Sequence, residues 1–173
     1  MRPLKVFVTV GTQLPFDRLL QAVDNWAAVY PEAVVKAQTG PSTAILQHIH
    51  AVPFLPKTDM DAAFAEADVI VGHAGMGTIL TGAELGKPVI AMPRSAAMGE
   101  HRNDHQTATA KRLSHLPMLH VAKDADAVAR LLNGFMTQAV TPRSTPRLSR
   151  DASPTLLAAV ARFVQTGQLG EAV

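Results

Sequence analysis

Short, β-branched apolar runs alternate along this chain with segments of helical period, and that alternation leaves few folds open. Leu4 to Val10 (LKVFVTV), Ala33 to Gln38, Ala51 to Leu55, Asp68 to Gly72, Pro88 to Met92 and Met118 to Val121 read as strands. The clearest of them have the length and Val/Ile content of strands buried on both faces. Between the first two, Phe16, Leu19, Leu20, Val23, Trp26, Ala27 and Tyr30 recur at three- and four-residue steps. That spacing predicts an amphipathic helix ending at Pro31. Further helices are predicted over Ser42 to His48, from an Asp59 cap through Ala67, and over about Thr78 to Leu85 with Gly86 as its stop. Two more follow, over about Asn103 to Leu113 and from an Asp124 cap to about Phe135. Strands alternating with helices predict an α/β fold, a Rossmann-like parallel sheet with helices on both faces.

With 173 residues and 47% of them hydrophobic, the chain can bury one core without a disulfide or metal staple. Zero cysteines exclude disulfide scaffolds, zinc–thiolate sites, iron–sulfur clusters and cysteine catalysis. A formal charge of +2, with one Trp and one Tyr, argues against nucleic-acid binding, which asks for a dense basic face or a stacking surface. No apolar run approaches the roughly 18–20 residues of a bilayer span, and the N-terminus has no signal-peptide layout. The expectation is a soluble cytoplasmic domain. Residues 1–140 form it; 141–153 (TPRSTPRLSRDAS) read as a flexible linker; 154–173 hold a terminal helix and tail. That helix, Pro154 to Gln165, carries a stripe of Leu156, Leu157, Val160, Phe163 and Val164, suited either to docking or to packing back on its own sheet. Arg143, Arg147 and Arg150 read as a solvated linker, or as a weak attraction to acidic lipid.

In a parallel α/β sheet, ligands bind beyond the carboxyl ends of the strands. Three loops there carry unusual residues: Gly11-Thr12-Gln13, Gly72 to Thr78 (GHAGMGT), and Pro93-Arg94 through Gln106. The second suits a phosphate cradle. Glycines admit close backbone approach, the following helix offers unpaired N–H groups, and Thr78 adds a hydroxyl. A tight structural turn is the alternative. The spacing is neither a P-loop nor GxGxxG. His73, inside the turn, reads as a ligand contact rather than a strand-end histidine. His101 and His105, four apart, have the spacing of a metal pair on a helix, but a third ligand is missing, as it is for His48 and His50. No metal is expected. Asn103, Asp104, His105 and Gln106 exceed what an N-cap needs and suit a ligand with several hydroxyls.

Together, VTVGTQLPFDRLLQAVD, GHAGMGTIL, GKPVIAMPR and GEHRNDHQ resemble the donor-binding C-terminal domain of family 28 glycosyltransferases of the GT-B fold, over roughly residues 4–136. The likeness is to the soluble subunit of two-part UDP-sugar transferases. It implies diphosphate contacts at Gly11, Thr12, Gln13, His73, Gly75, Gly77 and Thr78, and uracil contacts near Phe54. It implies sugar contacts at His105 and Gln106, with Arg94 as a further phosphate or sugar contact. Where relatives carry the ribose-binding acid, this chain has Thr81; Glu84, one helical turn later, is the substitute.

The resemblance further implies inverting, metal-independent transfer without a cofactor, the helix N-terminus stabilising the charge on departing UDP. No residue stands out as the general base. A GT-B enzyme needs two such domains, and this chain is long enough for one. The partner implied is a membrane-anchored, acceptor-binding subunit, the acceptor a lipid-linked sugar, and the location the inner membrane face. A non-catalytic nucleotide-sugar-binding or scaffold module is the alternative function; a hydrolase or epimerase would need a second half to its cleft.

Overall fold

The structure is a computed structural model in which residues 2–138, 147 and 154–166 are described. Six strands form one parallel sheet: β1 (Lys5–Thr9), β2 (Val34–Gln38), β3 (His50–Val52), β4 (Val69–His73), β5 (Val89–Met92) and β6 (Leu119–Val121). Their spatial order is β3-β2-β1-β4-β5-β6, the doubly wound arrangement in which strand order reverses beside the first strand. The helices are α1 (Asp17–Val29), α2 (Lys57–Glu66), α3 (Met76–Leu85), α4 (His105–Leu113), α5 (Ala125–Gln138) and α6 (Pro154–Thr166).

Alternation along each central strand sends side chains into two cores. Val6, Val8, Val69, Val71, Ile90 and Met92 face one layer, filled by Leu19, Leu20, Val23 and Trp26 of α1 and by Val128 and Leu132 of α5. Phe7, Ile70, Val89 and Ala91 face the other, filled by Phe64 of α2, Ile79 and Ala83 of α3 and Ala110 of α4. Trp26 donates from Nε1 to Asn133 at 2.9 Å, which fixes α1 against α5. The α3 helix ends as expected, with Gly86 at φ 64° in the left-handed region that suits glycine. Asp124 accepts a 2.7 Å hydrogen bond from the Ala127 N–H and caps α5 as its sequence position suggests.

Several boundaries differ from expectation. Residues 42–46 carry no regular structure and 47–49 form a bend, where a helix over Ser42 to His48 was expected. The buried Asp24 carboxylate accepts the N–H groups of Gln47 and His48, giving those donors a partner on α1 in place of a helical one. Asp59 does not cap α2: the helix starts at Lys57 after Pro56, and Asp59 sits in its first turn, where the dipole still favours it. The α3 helix starts at Met76, two residues early. The α4 helix starts at His105, so His101 and His105 share no helix. The expected linker, apart from Arg147, and the tail after Thr166 lie outside the described residues. Every described side chain on α6 is exposed, Leu157, Val160 and Val164 among them.

Candidate functional site

Strand order reverses at β1, whose two neighbours are β2 and β4. The loops leaving β1 and β4 therefore diverge and open a crevice at their carboxyl ends. Gly11 turns the first loop at φ 78°. Its carbonyl accepts from Gln38 Nε2 at 3.4 Å, and a Cβ on Gly40 would come within 2.6 Å of that oxygen. Thr12 and Gln13 follow, exposed.

On the second loop, Gly75 precedes α3 in an extended conformation and no side chain caps the helix. The N–H groups of Met76, Gly77 and Thr78 thus open the helix without intrahelical acceptors, at its positive end. A Cβ on Gly75 would lie 2.3 Å from His73 Nε2, so the imidazole packs against the helix entrance. A Cβ on Gly77 would meet nothing within 4 Å.

Across the crevice, Arg94 is 3% exposed. Its Nη2 donates to the carbonyls of Val10 and Leu14 at 2.7 and 2.8 Å. Its Nη1 donates to those of Pro15 and Glu100. Four of its five N–H groups are thereby engaged by the chain itself, so its main work is to hold the Gly11 loop. Its own backbone N–H donates to Oε1 of the buried Gln106 at 3.1 Å, which ties β5 to the first turn of α4. Glu100 receives Arg18 through Nε and Nη2, both at 2.8 Å, and accepts the Ser95 N–H. Burial alone raises the Glu100 carboxyl, but these donors and cations hold it below the usual carboxylate range.

These loops enclose a cavity of about 340 Å³. Of the residues expected at the site, Gly11, Thr12, Gln13, His73, Gly75, Arg94, His105 and Gln106 line it. Gly77 and Thr78 are not among the lining residues; they lie in the first turn of α3, which follows the lining residue Gly75. Phe54, exposed beyond β3, is not among the lining residues, nor are Thr81, Glu84, Asn103 and Asp104. Asn103 and Asp104 instead order the loop: Asn103 Oδ1 accepts from the His105 backbone and meets His105 Nδ1, and Asp104 Oδ1 accepts the Ala96 N–H. His101 also lines the cavity, its ring edge-on to His105 at 4.6 Å. The structure thus adds Gln38, Gly40, Arg18, Glu100 and His101. Arg18, Glu100 and His101 lie within segments quoted for the resemblance, whereas Gln38 and Gly40 carried no site signal in the sequence.

No carboxylate lines the cavity; Arg94 and three histidines do. Burial, and next the Arg94 cation, push the His73 imidazole down to about 4, so it is neutral near pH 7. Its Nδ1 and that of His101 are buried without a hydrogen-bond partner. Free N–H groups, glycine walls, the neutral His73 imidazole and a buried cation make a seat for an anion, with the Gln106 amide in its wall for hydroxyls. Among the described residues no group of three metal-type ligands occurs, and no helix is long and apolar enough to cross a membrane.

Comparison with known proteins gives these features a setting. The model of the glycosyltransferase family 28 C-terminal domain matches residues 5–133. The UDP-N-acetylglucosamine--N-acetylmuramyl-(pentapeptide) pyrophosphoryl-undecaprenol N-acetylglucosamine transferase of Bacteroides thetaiotaomicron is 30% identical over 119 residues, 69% of this chain and 30% of that protein. The enzyme of the same name from Acinetobacter baumannii is 28% identical over 135 residues, 78% of this chain and 30% of that protein. The chain thus spans about 30% of the length of these curated relatives. The crystal structure of Acinetobacter baumannii MurG superposes with a TM-score of 0.57 at 25% identity, covering 83% of this chain and 43% of that one. The solution structure of ALG13 superposes with a TM-score of 0.58 at 16% identity, covering 95% of this chain and 98% of that one, a likeness of fold.

Proposed function

The chain belongs to the glycosyltransferase family 28 C-terminal domain family, and from that premise we propose that it is the donor-binding subunit of a UDP-sugar-dependent glycosyltransferase. A membrane-anchored partner binds the acceptor, and the pair transfers the sugar to a lipid-linked polysaccharide or oligosaccharide precursor at the inner membrane face. The observation that carries this reading is the carboxylate-free cavity at the strand-order reversal, bordered by the uncapped N-terminus of α3.

The chemistry follows from that geometry. Glycosyl transfer passes through an oxocarbenium-like transition state, and the leaving diphosphate gains negative charge as the bond breaks. The N–H groups of Met76, Gly77 and Thr78 are oriented before the reaction and stabilise that charge where it develops. His73 lines the cavity against Gly11 and Gly75 and is proposed to contact the diphosphate from there. Gln106, fixed through Oε1, keeps its amide N–H₂ for a sugar hydroxyl. The proposed transfer is inverting and needs no metal, and the base that activates the acceptor comes from the partner. Isothermal titration of the chain with UDP and UDP-sugars, followed by transfer assays with the reconstituted pair, tests the reading. Absence of saturable binding together with absence of transfer refutes it.

A second reading, a non-catalytic nucleotide-sugar-binding module, is favoured by one observation: Thr81 stands where relatives carry the ribose-binding acid. It predicts that UDP binds and no partner yields transfer.

A further inference from the structure

His101 entered the sequence reading within the third loop, in the GEHRNDHQ segment and as half of a metal pair, without a site role of its own. The Nδ1 atoms of His73 and His101 are the buried side-chain polar atoms without a hydrogen-bond partner among the described residues, and both residues line one cavity. Buried polar atoms are nearly always paired, so each of these imidazoles, both on residues that line the cavity, has a nitrogen still to be partnered. The neighbours do not supply it. Glu100, adjacent in the chain, is engaged by Arg18 and the Ser95 N–H. His105 packs edge-on against His101 while its own Nδ1 meets Asn103. Arg94 lines the same cavity and no carboxylate does, which favours an anionic ligand over a cationic one.

We propose that His101 is a second imidazole ligand of the donor's diphosphate, lining the same cavity as His73, whose ring packs against Gly11. The inference rests on the donor-binding reading above and adds a residue to it. A diphosphate carries enough acceptor oxygens to meet both imidazoles and the α3 N–H groups together, which one sugar hydroxyl cannot do. His101 also sits on the β5–α4 loop, whereas His73 sits on β4, so the pair would hold the anion from two sides.

The test is isothermal titration of the full chain with UDP, inorganic pyrophosphate and uridine. His101→Gln is expected to weaken UDP and pyrophosphate about tenfold each, the loss of one hydrogen bond to a charged group, and to leave uridine and the melting temperature unchanged. His115→Gln, at an exposed histidine outside the cavity lining, is expected to change nothing. Imidazole nitrogen NMR of the unmodified chain gives a readout independent of variant folding: the His101 ring nitrogens shift on saturation with pyrophosphate. Unchanged UDP and pyrophosphate affinity in His101→Gln, or unmoved His101 nitrogens in a saturated sample, overturns the role of His101 and leaves the donor-binding reading standing. Failure of the unmodified chain to bind UDP at all removes both.

Discussion

The guanidinium of Arg94 lies over the ring of Phe16, 4.6 Å from its centroid, while the same group reaches back to the carbonyls of Val10 and Leu14. Phe16 is fully buried just ahead of α1, so it forms a fixed floor for the cation. The pair joins the end of β5 to the loop after β1 and sets the position of the Gly11 turn. Lysine keeps the charge but loses the planar fork that serves several carbonyls at once. Arg94→Lys is therefore expected to cost about 2–4 kcal/mol in urea unfolding, because buried carbonyls lose charged donors. UDP affinity should fall with it. A variant of unchanged stability would show that the clamp is dispensable.

Two glycines of α3 separate a binding role from a packing role. A Cβ on Gly82 would lie 2.3 Å from Val89 Cγ2, so Gly82→Ala overpacks the helix–sheet contact and should cost about 1–3 kcal/mol. A Cβ on Gly77 meets nothing, and alanine is the better helix former. Gly77→Ala should leave stability unchanged or raise it by up to about 1 kcal/mol. It should still weaken UDP about tenfold, because the added methyl obstructs approach to the helix N–H groups. Unaltered UDP binding in a stable Gly77→Ala chain would move the anion away from this helix end.

His73 makes stability depend on pH with a definite sign. Its pKa is about 4 in the folded chain, chiefly through burial, against about 6.5 when unfolded. Between these values the unfolded chain binds the extra proton, so stability falls as pH drops from about 6.5 to 4 and is complete above that window. The full shift corresponds to about 3 kcal/mol. His73→Gln removes this proton from the balance, so its urea midpoint should decline less between pH 7 and pH 4.5 than that of the unmodified chain. Equal declines would mean that His73 titrates normally.

The parts legible in sequence and the parts hidden from it divide by range. The strands and the α1 period are local patterns, and Val8 or Leu20 fall where alternation and helical spacing put them. The glycine turn and the GEHRNDHQ segment were legible through resemblance. What local pattern could not show is pairing across the chain. Nothing near residues 42–48 announces that Asp24 takes their N–H groups. Arg94 reads as a ligand contact until its partners, some eighty positions earlier, are seen. Gln38 is a strand residue whose buried amide joins Gly11 to the Leu55 N–H, a role set by topology rather than by its neighbours.

The terminal helix gives the last prediction. Leu157, Val160 and Val164 of α6 are 56%, 51% and 78% exposed, and Arg162 and the described alanines are exposed as well. A helix of 13 residues is marginal alone in water, so its apolar stripe gains little until another surface covers it. Among the described residues, the helical layers on both sheet faces are made by α1 to α5 and no α6 side chain joins either core. Deleting residues 154–173 should therefore leave the melting temperature within about 2 °C, since losing 1 kcal/mol of packing in a chain of this size would shift it by roughly 2–4 °C. UDP affinity should also persist, while recovery with a membrane-anchored partner should be lost. A fall of melting temperature well beyond that range would show that α6 packs on its own domain, and unchanged partner recovery would place the docking surface elsewhere.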